Sequence, residues 1–282
     1  MSVLVRRYCS LWDSRFLPQG LALYDSLNRH SSRPFRLHVL AMDDECAAAL
    51  NSLALDHMDV FWLSAVERFM FNEPIKDSRT WQEYCWTCAS NFAHWLLPHS
   101  EITYLDSDCW FASDPEAVFA EIGERSIGIV PHRFPPERKH MEVNGKFNVS
   151  WVTFRGAVGF KCLEKWARQC REKCSAKEGC GDQKYLDAWP TDYPGEVCEI
   201  QNIGVGTAPW NVSQYRVVDG PWGVRLNGQP LIFFHYHEYQ HNQRLTNYKL
   251  RKEDRDLIYA PYIEAVEAAK ARVESLMMEA IQ

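Results

Sequence analysis

Short apolar runs alternate with stretches of helical period through the first third of the chain, and this alternation limits the possible folds more than any other feature. "SVLVRRYC" reads as a strand, a helix follows from about Phe16 to Asn28, and "FRLHVLAMD" is a buried strand ending in acid. "DECAAALNSLA" is helical with Asp43 or Asp44 as its cap, and "MDVFWLS" is a third strand. "TWQEYCWTCASNFAHWLL" has helical length and stops at Pro98, and "ITYLDSD" follows from Ile102. Such alternation predicts a mainly parallel sheet flanked by helices, an α/β architecture.

The same grammar continues. "DPEAVFAEI" is a short helix with Asp114 as cap and Pro115 at its first position. "SIGIVPH" and "NVSWVTF" are strands, "GFKCLEKWARQCREKC" is an amphipathic helix, and "VRLNGQPLIFFHYH" is a hairpin turning at Asn227-Gly228. From Pro261 onward the pattern is helical, with Ile263, Val266, Val273, Leu276 and Met277 on roughly one side. No linker or repeat divides the chain, so the expectation is one domain over 1–260 with a helical tail over 261–282.

Composition narrows the partners. The 282 residues are 46% hydrophobic and carry a net charge of −6 without a basic block, which argues against nucleic acid. No apolar run reaches the roughly 20 residues of a membrane span. "MSVLVRRYCS" places its charges after the apolar run, the reverse of a signal peptide, so a cytoplasmic location is expected. In that compartment the ten Cys are read as buried thiols. Cys85 and Cys88 form a C-x-x-C without redox context, and Cys162, Cys170, Cys174 and Cys180 leave a zinc cluster as the alternative to simple burial. The N-x-S sequons at Asn148 and Asn211 are read as coincidence.

"ITYLDSDCWF" carries the chemistry. It runs a core strand straight into Asp106 and Asp108, separated by Ser107 alone. In open parallel sheets ligands bind beyond the carboxyl ends of strands. Residues i and i+2 of an extended chain point the same way, and two carboxylates so aimed repel unless a cation or a shared proton joins them. Hard oxygen donors suit Mg2+ or Mn2+, so the stretch reads as half of a metal site, against the alternative of exposed turn residues.

Several segments, in order, resemble nucleotide-sugar glycosyltransferases of the GT-A fold, most closely the glycogenin-like, retaining type and bacterial enzymes of cell-surface polysaccharide synthesis. "YLDSDCWF" is similar to their D-x-D motif, "FNVSWVTFR" to the strand that follows, and "GDQKYLDAWP" to their Asp-Gln helix start. "NIGVGTAPWN" is similar to a later loop, and "LIFFHYHEY" to the strand whose His completes the metal site. The resemblance implies a Rossmann-like mixed sheet and transfer of a hexosyl group from a nucleoside diphosphate such as UDP to a saccharide or lipid-linked acceptor. It implies Asp106, Asp108 and His235 as ligands of Mn2+ or Mg2+, with His237 the rival of His235. Asn148, Asp182 and Gln183 would face the donor sugar, the last two as catalytic residues. Tyr8, Cys9 and Ser10, at the end of the first strand, would lie near the base, Ser90 near the diphosphate, and Ser107 within the donor site. Peripheral contact with the inner membrane face and a homodimer are compatible with this reading.

The chain also departs from that pattern. The H-x-x-G-x-x-K-P-W ending is missing from "HYHEYQHNQR", so Arg244 or Lys249 is expected to supply a cation for the leaving diphosphate. Ser150 stands where Gly is common. Each motif also has a structural alternative: Asp182 as a helix cap, Asn148 as a turn residue, Trp210 as packing. Three other functions compete. A nucleotidyltransferase would show a Gly-rich basic loop after the first strand, and "YCSLWDSRFLPQG" does not. A glycoside hydrolase needs carboxylates on opposite sides of a bond, which a same-side pair does not supply. A non-catalytic module would bind the nucleotide sugar without metal-dependent release of its diphosphate.

Overall fold

The computed structural model describes residues 4–71, 73–96, 101–177, 181–240 and 243–279. The chain opens with β1 (Arg6–Trp12), α1 (Leu17–His30), β2 (Phe35–Ala41), α2 (Asp44–Leu53) and β3 (Met58–Trp62). There follow α3 (Leu63–Met70), α4 (Trp81–Leu96), β4 (Glu101–Leu105), β5 (Cys109–Phe111), α5 (Glu116–Ile122), β6 (Ile127–Pro131), β7 (Phe147–Arg155) and α6 (Gly156–Glu172). The later part holds α7 (Trp189–Asp192), β8 (Val197–Glu199), β9 (Val205–Thr207), β10 (Val217–Gly220), β11 (Gly223–Leu226), β12 (Gln229–Pro230) and β13 (Phe233–His235). It closes with α8 (Lys252–Asp254) and α9 (Ala260–Glu279).

Seven strands form the main sheet in the order β3-β2-β1-β4-β7-β6-β8. The β1–β2, β1–β4, β2–β3 and β6–β8 pairs are parallel, while β7 is antiparallel to β4 and β6. The expected mixed, mainly parallel sheet is therefore present. Its direction pattern has a consequence for chemistry. The carboxyl ends of β1, β4 and β6 share one edge with the amino end of β7, so Asp13, Asp106, His132 and Asn148 come to the same side. One face packs Tyr8, Leu37, Val39, Leu105 and Trp151 against α1, α2 and α9. The other packs Cys9, Leu40, Tyr104, Val152 and Phe154 against α4 and α6. Both faces are covered, which is why these strands read as continuous apolar runs rather than alternating ones.

Three expectations require correction. The first strand starts later and runs on to Trp12, so Tyr8, Cys9 and Ser10 lie within it rather than at its end. Trp12 is itself buried, seated on α1 where Gly20 leaves room; a Cβ at Gly20 would lie 2.3 Å from the indole. The third strand stops at Trp62, and its last expected residues begin α3. The hairpin does turn at Asn227-Gly228, both with positive φ, but β12 ends at Pro230. Leu231 and Ile232 carry the chain out of that ribbon, and β13 joins a separate three-stranded sheet, β5-β13-β9.

Candidate active site

Strand register brings the metal-type side chains together. After Asp108 the chain turns back as β5, which pairs antiparallel with β13 so that Cys109 faces His235 and Phe111 faces Phe233. The Tyr236 amide donates to the Asp108 carbonyl at 2.9 Å and extends the pairing by one step. His235 is thereby set beside the D-x-D turn across more than a hundred residues of chain. Its Nε2 lies 3.1 Å from Asp108 Oδ1 and 3.8 Å from Asp106 Oδ2. Ligand atoms of the three residues fall within 4.8 Å of one another, the one such group of His, Cys, Asp and Glu among the described residues.

The electrostatics show what this proximity costs. Burial, opposed by His235 and reinforced by Asp108, raises the Asp106 carboxyl to about 6. Burial also acts to raise Asp108, but His235 outweighs it and holds that carboxyl below its usual range. Burial acts to lower His235, and the two carboxylates more than reverse it. Two carboxylates and one imidazole nitrogen around a common point make a donor set that fits a divalent cation. His235 Nδ1 is buried with no hydrogen-bond partner, so the ring is oriented by packing: Trp210 stands edge-on to it, with centroids 5.4 Å apart.

His237 does not join the cluster. The strand ends at His235, and the two imidazoles, two residues apart and so on one side of an extended chain, lie 5.7 Å apart between centroids. Trp210 touches both rings, is 3% exposed, and donates its Nε1 to the His132 carbonyl at 2.9 Å. The indole is thus a packing wall and offers no open face to a sugar. Asn211, from the second sequon, is fully buried and donates to the same carbonyl.

Asn148, at the start of β7, lies beside the D-x-D turn because β4 pairs with β7. Its Oδ1 accepts from the Ser150 amide at 2.9 Å, and its Nδ2 lies 3.3 Å from His132 Nε2. His132 was missed in the sequence. It is buried, and burial followed by His235 lowers its pKa to about 3, so its imidazole is neutral. His132 Nδ1 and Ser150 Oγ are both buried without partners, an unspent polar capacity next to the metal-type cluster. The signal available in the sequence was position alone: "SIGIVPH" puts His132 at a strand end, as "ITYLD" does Asp106.

Asp182 opens a 3-10 turn, Asp182–Ala188, and is 3% exposed. Its Oδ1 accepts from the Gln183 amide at 2.9 Å. Burial first, then the charges of Cys174 and Asp106, push its carboxyl well above the usual range. The Gln183 side chain donates to the Asn144 carbonyl at 3.1 Å. Ser107 lies, partly exposed, in the D-x-D turn itself.

The remaining expected contacts are buried in the core. Tyr8 is enclosed by Phe35, Phe119 and Trp151, and Cys9 by the opposite cluster, both with no exposed surface. Ser10 accepts from Trp12 Nε1 at 2.8 Å, and Ser90 donates to the Thr87 carbonyl at 3.2 Å, each fully buried. The residue that emerges at the end of β1 is Asp13, which accepts from Arg15 and from Trp81 Nε1. Burial raises Cys88 well above its ordinary value and Cys85 to about 12, which disfavours the thiolates that redox work needs. Among the described residues the cysteines enter no group of metal ligands; Cys180 lies outside those residues.

No family model matches the chain. The protein YfnF of Bacillus subtilis (strain 168) is 30% identical over 249 residues, covering 83% of this chain and 81% of that protein. YfnD of the same strain is 28% identical over 227 residues, 77% of this chain and 72% of that one. Solved structures share the fold at low identity. A galactosyltransferase, LgtC, determined with donor and acceptor sugar analogs, aligns with a TM-score of 0.54 at 16% identity, over 94% of this chain and 95% of its own. Mouse xyloside xylosyltransferase 1 aligns with a TM-score of 0.51 at 14% identity, over 82% and 97%. The glycosyltransferase GlyE of Streptococcus pneumoniae TIGR4 aligns with a TM-score of 0.54 at 16% identity, over 98% of this chain and 64% of GlyE.

Proposed function

Because the chain belongs to the family of Bacillus subtilis YfnF and has the GT-A fold of glycosyltransferases, we propose that it is a metal-dependent glycosyltransferase. It moves a hexosyl group from a nucleoside diphosphate sugar to a saccharide or lipid-linked acceptor, on the cytoplasmic side, in surface polysaccharide synthesis. The observation that carries this reading is the Asp106–Asp108–His235 cluster at the edge where the carboxyl ends of the parallel strands meet. Mn2+ or Mg2+ held there supplies charge stabilisation for the departing diphosphate.

The rest of the work falls to the chain's own side chains. Asp106 and Asp108 bind through oxygen and His235 through Nε2, with Ser107 at the donor's edge of the turn. Asn148, with the unspent hydroxyl of Ser150, orients the donor sugar. Asp182, buried and with its carboxyl raised above the usual range, meets a hydroxyl of the donor sugar. Gln183 presents a neutral amide to the anomeric region, polar enough to support an electron-poor carbon without trapping it. An Asp-Gln pair in these roles favours retention of configuration. The surrounding wall of Trp210, His132 and His237 limits water near the reacting carbon, which suppresses hydrolysis relative to transfer.

The test is a thermal-shift panel of nucleotide sugars with and without Mn2+, followed by release of nucleoside diphosphate in the presence of saccharide acceptors. A ligand present at 100 times its Kd adds about 2.7 kcal/mol to stability, a readily visible shift. One nucleotide sugar is expected to stabilise only with Mn2+, and chelator is expected to stop turnover. Metal-independent turnover, or no stabilisation by any member of the panel, overturns the proposal. Stabilisation without diphosphate release identifies a binding module instead.

A further inference from the structure

The segment after β6 leaves the sheet at His132 and folds as a 3-10 turn, Pro136–Asn144, before β7 begins. This lip is tied to the Asp182–Ala188 turn by Gln183 on the Asn144 carbonyl and by Lys184 on the Glu142 carbonyl at 3.4 Å. On its other side it is tied by Arg138. One guanidinium nitrogen, Nη1, donates to the Trp210 carbonyl at 2.9 Å, and the group lies 5.0 Å from the centroid of the Tyr248 ring. Trp210 packs on His235, and Tyr248 belongs to the loop that follows that strand. Arg138 is therefore one residue removed from the metal-type cluster.

Its charge is unbalanced. Three nearby cations have carboxylate partners, Lys139 with Glu142, Lys184 with Asp187 and Arg251 with Asp254, while Arg133 donates to the Ile200 and Val205 carbonyls and Arg244 to Asn247 Oδ1. Among the described residues Arg138 has no carboxylate partner, and most of its N–H donors are unused. The charge count of the proposed site calls for such a group. Two carboxylates cancel a divalent ion, and a neutral imidazole adds nothing. The negative charge of a bound diphosphate is then left to other cations. A guanidinium meets phosphate oxygens with paired N–H groups, a geometry an ammonium cannot supply.

We propose that Arg138 is a phosphate-binding residue of this site, reaching from the lip to a phosphate group of the bound substrate. The inference rests on the glycosyltransferase reading and deepens it, and it sets a residue from a different segment beside the expected Arg244 and Lys249. The phosphate is either the donor's diphosphate or a phosphate carried by the acceptor, and the experiment separates the two.

Wild type, Arg138→Gln and Arg138→Lys are titrated, in Mn2+, with UDP, GDP, ADP and CDP, and separately with glycerol 1-phosphate. Arg138→Gln is expected to weaken its nucleoside diphosphate roughly 10- to 100-fold, the weight of a charge-assisted hydrogen bond, with part of the loss restored in Arg138→Lys. Affinity for Mn2+ alone and the melting temperature without ligand should stay near wild type, which a merely structural anchor would not predict. Loss confined to glycerol 1-phosphate also supports the inference and assigns the phosphate to the acceptor. Unchanged binding of both ligands in Arg138→Gln, with wild type binding normally, overturns it and leaves the glycosyltransferase reading intact. Failure of wild type to bind any nucleoside diphosphate with Mn2+ overturns both.

Discussion

Asp106 shows what burial beside a second carboxylate does to one side chain. Its carboxyl is raised to about 6 from an ordinary 3.8, by burial first and by Asp108, with His235 opposing. A carboxyl whose folded pKa is raised contributes stability that is complete below the unfolded value and is lost as pH rises through the folded one. Without metal, ionising Asp106 therefore costs stability above about pH 6. Metal binding needs the same ionisation, and a neutral His235, so protons compete with the ion. The stabilisation given by Mn2+ is expected to grow between about pH 5 and pH 7.5, and to vanish in Asp106→Asn. Scanning fluorimetry with and without Mn2+ at both pH values measures it, and equal shifts at the two would refute the competition. The two aspartates were legible because a strand-end carboxylate pair breaks the rules of a core strand. His235 was legible only with the resemblance. The end of the first strand was set too early, at Tyr8, Cys9 and Ser10, because a strand buried on both faces gives no periodic signal of where it stops.

Elements with local signals were the readable ones. The start of α2 follows from Asp43, whose Oδ1 accepts from the Cys46 amide at 2.8 Å while Oδ2 accepts from the Ser14 amide at 2.8 Å. One carboxylate thus caps a helix and fixes the loop that leaves β1 beside Asp13. Asp43→Ala is expected to cost about 1–2 kcal/mol, and Asp43→Asn less, read as a lower urea midpoint at unchanged slope. A loss of under a few tenths of a kcal/mol would mean that water replaces both bonds freely. The turn at Asn227-Gly228 was legible for the same local reason, since two residues with positive φ select that dipeptide. The partner of β13 was not. "LIFFHYH" looks like the second arm of the hairpin, yet β5, a three-residue strand hidden inside the D-x-D segment, pairs with it instead. Long-range pairing of short strands leaves almost no trace in either segment, and that pairing is what assembles the site.

At the scale of the whole molecule, the question is whether residues 261–282 form a separable tail. α9 crosses α1 and α2, burying Tyr262, Val266, Ala269 and Val273. Tyr262 stacks on Tyr236 with ring centroids 3.6 Å apart, and Tyr236 follows His235 directly. Arg272 reaches Asp25 of α1 at 3.3 Å. The helix thus covers the rear of the sheet face formed by α1 and presses on the strand that delivers His235 to the metal-type cluster. Removing it would expose the apolar surface of Ala22, Phe234 and Tyr236 to water, and at roughly 25 cal/mol per Å2 a few hundred Å2 of such surface is comparable to the whole margin of a typical domain. Residues 261–279 are therefore proposed to be an integral part of the fold. A chain ending at residue 260 is expected to be insoluble or unfolded, and Tyr262→Ala in the full chain to lose about 3–5 kcal/mol, as for other large aromatic truncations in cores. Circular dichroism and urea unfolding of both variants decide the matter. A 1–260 fragment that melts cooperatively and still gains stability from Mn2+ would show that the tail is an appendage and that Tyr236 holds its place without it.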